Sequence, residues 1–339
     1  MLDIEKPDEL IRYLRETGHL DGDEFPRVTR LPGGVSNRTV LVERTRGVSI
    51  VIKQALEKLR VEADWFSDPS RSRREGLGLA WLARLAPPGT ITPLVFEDPA
   101  CHLVAMEAVP QPHENWKTRL LAGKVEQRHI ERFGELLGTV HRRARETREE
   151  VAPVFADASF FESLRLEPYY AYTASRIPEA AKFLTELISI TRSTRESLVH
   201  GDYSPKNILI FEDRLVLLDH EVIHWGDPAF DLGFSLTHLL SKANHLESQR
   251  SAFLNAAGAY WRKYQETAGE LGKTSPFEAR VANHTLGCLL ARVDGRSPLE
   301  YLSGEARRRQ RAVVLSLMSQ KPVSVSQFIE MFGRELPLK

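Results

Sequence analysis

The spacing of apolar and polar positions changes repeatedly along this chain. Residues 7–17 place Leu10, Ile11 and Leu14 on one side, which predicts a short amphipathic helix. The period then shortens: Arg27–Leu31, Arg38–Glu43 and Ser49–Gln54 read as strands. Between them lie the small-residue turn Pro32-Gly33-Gly34-Val35-Ser36-Asn37 and the hairpin signal Thr45-Arg46-Gly47. Ser70–Ala86 returns to helical spacing, with Leu77, Ala80, Trp81 and Leu85 on the predicted buried face, and Pro87-Pro88-Gly89 ends it. Ile91–Phe96 and Cys101–Met106 predict two further strands, completing a five-stranded unit.

From about residue 110 the helical period dominates. Val125–Arg145 carries Ile130, Phe133, Leu137, Val140 and His141, the last read as a core hydrogen-bonding residue. Residues 158–192 read as short helices around an aromatic cluster, Tyr169, Tyr170 and Tyr172. Two apolar runs, Ile208–Phe211 and Leu215–Leu218, joined by Glu212-Asp213-Arg214, predict a tight hairpin. Helices are expected at Ala229–Ser241 and at about 248–267, 277–292, 305–319 and 325–333.

Composition adds mainly exclusions. In 339 residues, 46 basic side chains face 46 acidic ones, so no dedicated nucleic-acid or membrane partner is expected. Cys101 and Cys288 lie apart in apolar stretches, as buried free thiols of a reducing compartment would. The charged first residues lack an apolar signal core, and no apolar run approaches the ~20 residues of a membrane span. A cytoplasmic location is expected.

The candidate chemistry concentrates in Leu198–Phe234, LVHGDYSPKNILIFEDRLVLLDHEVIHWGDPAFDLGF. Asp202 follows His200-Gly201, Asn207 stands at the start of the hairpin, and Asp219 at its far end. Phosphoryl transfer to a hydroxyl needs such parts: a carboxylate to accept the hydroxyl proton, and an amide and a second carboxylate to hold Mg²⁺ on the phosphates. Upstream, Gly33 and Gly34 would let backbone N–H groups approach phosphates, with Ser36 and Asn37 as further donors and Lys53 on the third strand as the phosphate-pairing cation. Glu75, one turn into the following helix, is the candidate to hold Lys53, with Glu62 as its rival.

HGD-x4-N, LLDHE and GDPAFDLG, in this order and spacing, resemble the aminoglycoside phosphotransferase and choline kinase family of the protein-kinase-like fold. The turn at Gly33-Gly34 likewise resembles that family's GG-x-SN loop rather than the G-x-G-x-x-G of protein kinases. The resemblance implies an α+β, two-lobed architecture: a small five-stranded antiparallel N-lobe over 1–108 and a larger, mainly helical C-lobe over 109–339. It implies ATP, or possible use of GTP, with Mg²⁺ and a small-molecule hydroxyl acceptor. Main-chain groups of Glu107 and Val109 would contact the purine, His200 and Asp231 would brace the catalytic loop, and Glu221 would fix the loop around Asp219.

The sequence leaves two other functions open, a protein kinase and a non-catalytic nucleotide-binding protein. The span between Asp219 and Asp231 is short for a peptide-seating activation segment, and no A-P-E element is present. Arg292 and Asp294 are candidate acceptor contacts, in a region whose arginines disfavour a polycation. Gly269–Thr274 imitates the end of a phosphate-binding loop but follows a helix and has Thr267 where the first glycine belongs.

Overall fold

Alternation in the first hundred residues resolves into one antiparallel sheet. The structure is a computed structural model describing residues 2–32, 34–61 and 64–337, so Gly33 and Glu62 lie outside the described residues. The sheet holds β1 (Arg27–Arg30), β2 (Asn37–Glu43), β3 (Ile50–Ala55), β4 (Leu94–Asp98) and β5 (Leu103–Glu107) in the order β1-β2-β3-β5-β4. Helix α1 (Pro7–Glu16) buries Leu10 and Leu14 against Val40, Val42, Ile50 and Ile52 on one face of this sheet. Apolar area removed from water is what fixes it there.

Helix α2 (Arg71–Leu85) packs on the opposite side, where Leu79 meets Val104 and Met106. Its predicted apolar face is a correction. Ala80 is exposed and Leu77 and Trp81 are half-buried, whereas Arg71, Arg74 and Glu75 are buried with Leu79, Leu82 and Leu85. The polar residues go inside because the N-terminal half of α2 lies over the candidate site, where each charge has a partner.

The remainder is mainly helical. A short β6 (Glu114–Asn115) leads into α3 (Trp116–Leu121) and α4 (Gln127–Glu146). Then come α5 (Arg148–Val154), α6 (Ser159–Phe161), a π-helical stretch over Glu162–Ala171, α7 (Tyr172–Arg176) and α8 (Pro178–Ser193). The strands β7 (Ser197–Val199), β8 (Ile208–Phe211), β9 (Arg214–Leu217) and β10 (His224–Gly226) carry the catalytic string. Helices α9 (Ala229–His245), α10 (Arg250–Thr267), α11 (Ser275–Asp294), α12 (Gly304–Gln320) and α13 (Val325–Glu335) follow. Both turn residues of the β8–β9 hairpin, Glu212 and Asp213, take positive φ, the conformation that matches a tight hairpin to strand twist. Gly269–Lys273 is a 3₁₀ turn following α10, not a strand-to-helix phosphate loop.

One continuous core fills the helical part. α4 crosses α10 closely because Gly138 has no side chain: a Cβ there would meet Tyr264 O at 3.0 Å. That approach brings His141 Nδ1 to 2.9 Å from Tyr264 OH and its Nε2 to 3.3 Å from Asp231, the core role expected for it.

Candidate active site

Lys53 projects from β3, the central strand of the sheet, and finds two carboxylates. Its Nζ lies 2.6 Å from Glu75 Oε1 and 2.6 Å from Asp219 Oδ1. The two acids respond differently. Burial pushes the Glu75 carboxyl up to about 7 even beside the lysine. Burial also opposes charge on Asp219, but Lys53, Lys206 and Arg165 outweigh it and hold that carboxyl well below its ordinary range. Glu75 is the more deeply buried of the two, 1% exposed against 19%, which is why it takes up a proton first. Asp219 has φ +70°, a left-handed conformation that turns its side chain from the β9 line toward Lys53.

The catalytic loop is held from below by Asp231 at the start of α9. Its two oxygens accept the backbone N–H groups of His200 at 2.7 Å and Gly201 at 2.8 Å. Gly201 sits at φ +77°, and a Cβ there would strike Val222 Cγ2 at 2.8 Å, so both conformation and space require glycine. His200 closes the loop further, accepting from the Asp202 N–H at 3.2 Å and lying 3.1 Å from His220 Nδ1.

Asp202 is buried, and its Oδ2 gathers partners: Asn207 Nδ2 at 2.7 Å, Arg165 Nη2 at 3.1 Å and Lys206 Nζ at 3.9 Å. The second oxygen, Oδ1, is the one left to meet an acceptor hydroxyl. Asn207 also donates to Asp202 O at 2.9 Å, so the atom it can offer a cation is its amide oxygen. Backbone pairing of Leu218 N with Asn207 O at 2.9 Å places Asn207 beside the Asp219 turn.

Glu221 ties the small-residue turn to this loop. It accepts Ser36 Oγ at 2.7 Å, Asn37 Nδ2 at 2.9 Å and Arg71 Nε at 3.0 Å. Arg71, fully buried, also bonds Leu56 O at 2.7 Å and Ser67 O at 3.0 Å, and contacts Ser36 O. The side chains of Ser36 and Asn37, foreseen as phosphate donors, are therefore committed to Glu221 in this structure. Gly34, at φ +129°, keeps the conformation that only glycine adopts easily.

At the end of β5, the Glu107 N–H donates to Pro93 O at 2.9 Å, leaving its carbonyl for a ligand. The Val109 carbonyl lies 3.1 Å from His113 Nδ1, leaving its N–H. Asp294 does not reach the cleft: Arg311 grips both its oxygens, Nε at 2.7 Å from Oδ2 and an Nη2 contact to Oδ1. Arg292 packs its guanidinium 5.6 Å from the Tyr169 ring, with Nη1 at 3.2 Å from Tyr169 OH.

The donor chemistry fits a hard divalent cation. Carboxylate oxygens of Glu75, Asp219 and Glu221 lie within 4.8 Å of one another, and among the described residues no thiolate or imidazole stands in that cluster. His224 instead sits buried with its ring at 3.0 Å from Val222 O, and burial holds it at about 4.

Sequence reasoning missed Arg165. The signal was a lone arginine among Phe160, Phe161, Leu164 and Leu166, a residue that periodicity assigns to water. The structure buries it on Asp202 and Gly201 O, the latter at 2.7 Å.

A family model described as the phosphotransferase enzyme family matches residues 27–267. Methylthioribose kinase of Pectobacterium atrosepticum is 24% identical over 268 residues, covering 69% of this chain; the chain spans 64% of that relative's length. Among solved structures, a choline/ethanolamine kinase family protein from Mesorhizobium loti superposes with TM-score 0.55 at 14% identity, over 96% of this chain and 99% of its own. An amicoumacin kinase in complex with AMP-PNP, Ca²⁺ and Ami gives TM-score 0.57 at 13% identity, over 94% and 98%. These likenesses show the two-lobed, kinase-like α+β fold. No described helix is long and apolar enough to cross a membrane.

Proposed function

The chain belongs to the phosphotransferase enzyme family, and on that premise we propose that it transfers the γ-phosphoryl group of ATP to a hydroxyl of a small molecule. The observation that carries the reading is that Lys53 Nζ stands 2.6 Å from both Glu75 and Asp219, while the hairpin that ends at Asp219 starts at Asn207, which bonds Asp202 at 2.7 Å. The relatives named as kinases, one of them holding AMP-PNP, support the choice of nucleotide.

The acceptor O–H gives its proton to Asp202 Oδ1 as its oxygen forms a bond to the γ-phosphorus. The bond from that phosphorus to the bridging oxygen breaks, and ADP leaves with the electron pair. Arg165 and Asn207 orient Asp202 by occupying Oδ2. Lys53 turns to phosphate oxygens, and Glu75 keeps it placed. Asp219 and Asn207 would hold Mg²⁺, which when bound neutralises charge on the phosphates. The Glu107 carbonyl and Val109 N–H would receive the purine, and the backbone of Gly33 and Gly34 would cover the phosphates. The lobes then divide at about 108, with nucleotide between 1–108 and 109–339. The acceptor is a small hydroxyl compound, and the two free cysteines, Cys101 and Cys288, support a cytoplasmic location.

The test is ADP release from ATP or GTP with Mg²⁺ across a library of hydroxyl metabolites. Turnover with at least one acceptor, lost in Asp202→Asn, is expected. Tight Mg-ATP binding without turnover of any library member would instead indicate a nucleotide-binding protein without catalysis.

A further inference from the structure

Cationic side chains gather around Asp202 and the aromatic rings that follow it. Arg165 bonds Asp202 and lies 5.7 Å from the Tyr169 ring, and Arg292 lies 5.6 Å from the same ring. Tyr169 stacks on Phe234 at 6.0 Å, and Phe234 meets the His238 ring edge-on at 5.0 Å. One turn along α9 from His238, Lys242 is fully buried. Its Nζ donates to His238 O at 3.1 Å and lies 5.3 Å from the Tyr301 ring, which Lys117 faces at 5.9 Å.

These charges are under-compensated. The acid that faces Lys242 is Glu300, and it is already paired with Lys117. Arg292 Nε, His238 Nε2 and the Tyr301 hydroxyl are covered and find no protein partner among the described residues. A buried cation with one main-chain hydrogen bond is costly unless a counter-ion completes it.

We propose that Lys242, Arg292 and Lys117 form the recognition end of the acceptor pocket and select an acceptor carrying an anionic group, a carboxylate or a phosphate ester. The inference rests on the kinase reading for the place of the hydroxyl, at Asp202, but not for the anion contacts. An anion there gains charge-assisted hydrogen bonds from Lys242 Nζ, which has one main-chain partner, and from Arg292 Nε, which has none among the described residues, whereas a cationic acceptor would add to the repulsion. Burial, then the positive charges of Lys242, Arg292, Lys117 and Lys206, hold His238 well below its ordinary value, so it meets the ligand as a neutral imidazole. Burial, then Lys117 and Arg292 against Glu300, bring Lys242 down to about 7, and a bound anion restores its charge.

Glycerate, glycerol 3-phosphate, glycerol and serinol share a three-carbon hydroxylated frame and differ in charge. Each is titrated calorimetrically into the protein saturated with Mg-AMP-PNP, which fills the nucleotide site, and turnover with Mg-ATP is measured in parallel. At least one anion is expected to bind tenfold or more tighter than glycerol, with serinol weakest. Lys242→Met and, on a more exposed helix, Lys117→Met should each remove that preference while still unfolding in a single cooperative transition. The better of glycerate and glycerol 3-phosphate distinguishes carboxylate from phosphate. Equal affinity for all four compounds, or an anion preference that survives both substitutions, overturns the proposal. Charge-selective binding lost in Lys242→Met without any turnover leaves the anion site standing and removes the kinase reading. Turnover of glycerol or serinol as fast as of the anions does the reverse.

Discussion

Replacing Lys242 by methionine should stabilise the protein, by an amount that depends on pH. In the folded state burial, with Lys117 and Arg292, lowers the Lys242 ammonium from 10.5 to about 7. Between those values the unfolded chain binds a proton that the folded chain does not, so stability rises with pH across the window and is flat below it. Each unit is worth about 1.4 kcal/mol, so the full penalty at pH 7 is on the order of 5 kcal/mol; relaxation around a buried charge reduces this to a few. Methionine has similar length and no charge, and the only described bond it removes goes to His238 O, a carbonyl four residues earlier on the same helix. The groups facing Lys242 are Lys117 on α3, Arg292 on α11, Glu300 before α12 and His238 on α9 itself, and none of them is removed. Urea unfolding followed by tryptophan fluorescence, at pH 6.5 and 9.5, measures the effect. The variant should exceed the parent by roughly 2–5 kcal/mol at pH 6.5, with a clearly smaller gap at 9.5. A variant less stable than the parent, or a gap equal at both values, would refute the account of an uncompensated buried charge.

Asp202→Asn should lower turnover by roughly 10²–10⁴-fold with nucleotide affinity nearly intact, the usual worth of a positioned base; unchanged turnover in a steady-state assay removes that role. Asp219→Ala should abolish metal-dependent nucleotide binding by calorimetry, since Lys53 and the metal both lose a partner. Glu221→Gln should raise KM for ATP more than it lowers kcat, because it weakens the grip on Ser36, Asn37 and Arg71 rather than touching the acceptor; an unaltered KM would show that the turn is placed without it. Asp231→Ala should destabilise the protein by about 1–3 kcal/mol for each buried N–H it leaves unpaired, read as an earlier urea midpoint, with the His200 and Gly201 amides exchanging faster.

What the sequence determined by itself is what local rules govern. Strand alternation, turn residues and helical spacing marked the five strands of the sheet and the long helices, because those signals act within a few residues, but not the short elements β6, α3, α5, β7 and β10. The ordered string from His200 to Asp231 was legible for the same reason: a hairpin of fixed length joins Asn207 to Asp219. Only the tertiary structure decided which polar residues go inside. α2 buries Arg71 and Glu75 because Glu221 and Lys53 arrive from 150 and 22 positions away, and no periodicity encodes an arriving partner. Nothing local marks Arg165 or Lys242 for burial, since a lone cation in a helix is ordinarily solvated. Their burial follows from the packing of α9 and the π-helical stretch around the catalytic loop, a long-range fact that fixes the electrostatics of the pocket.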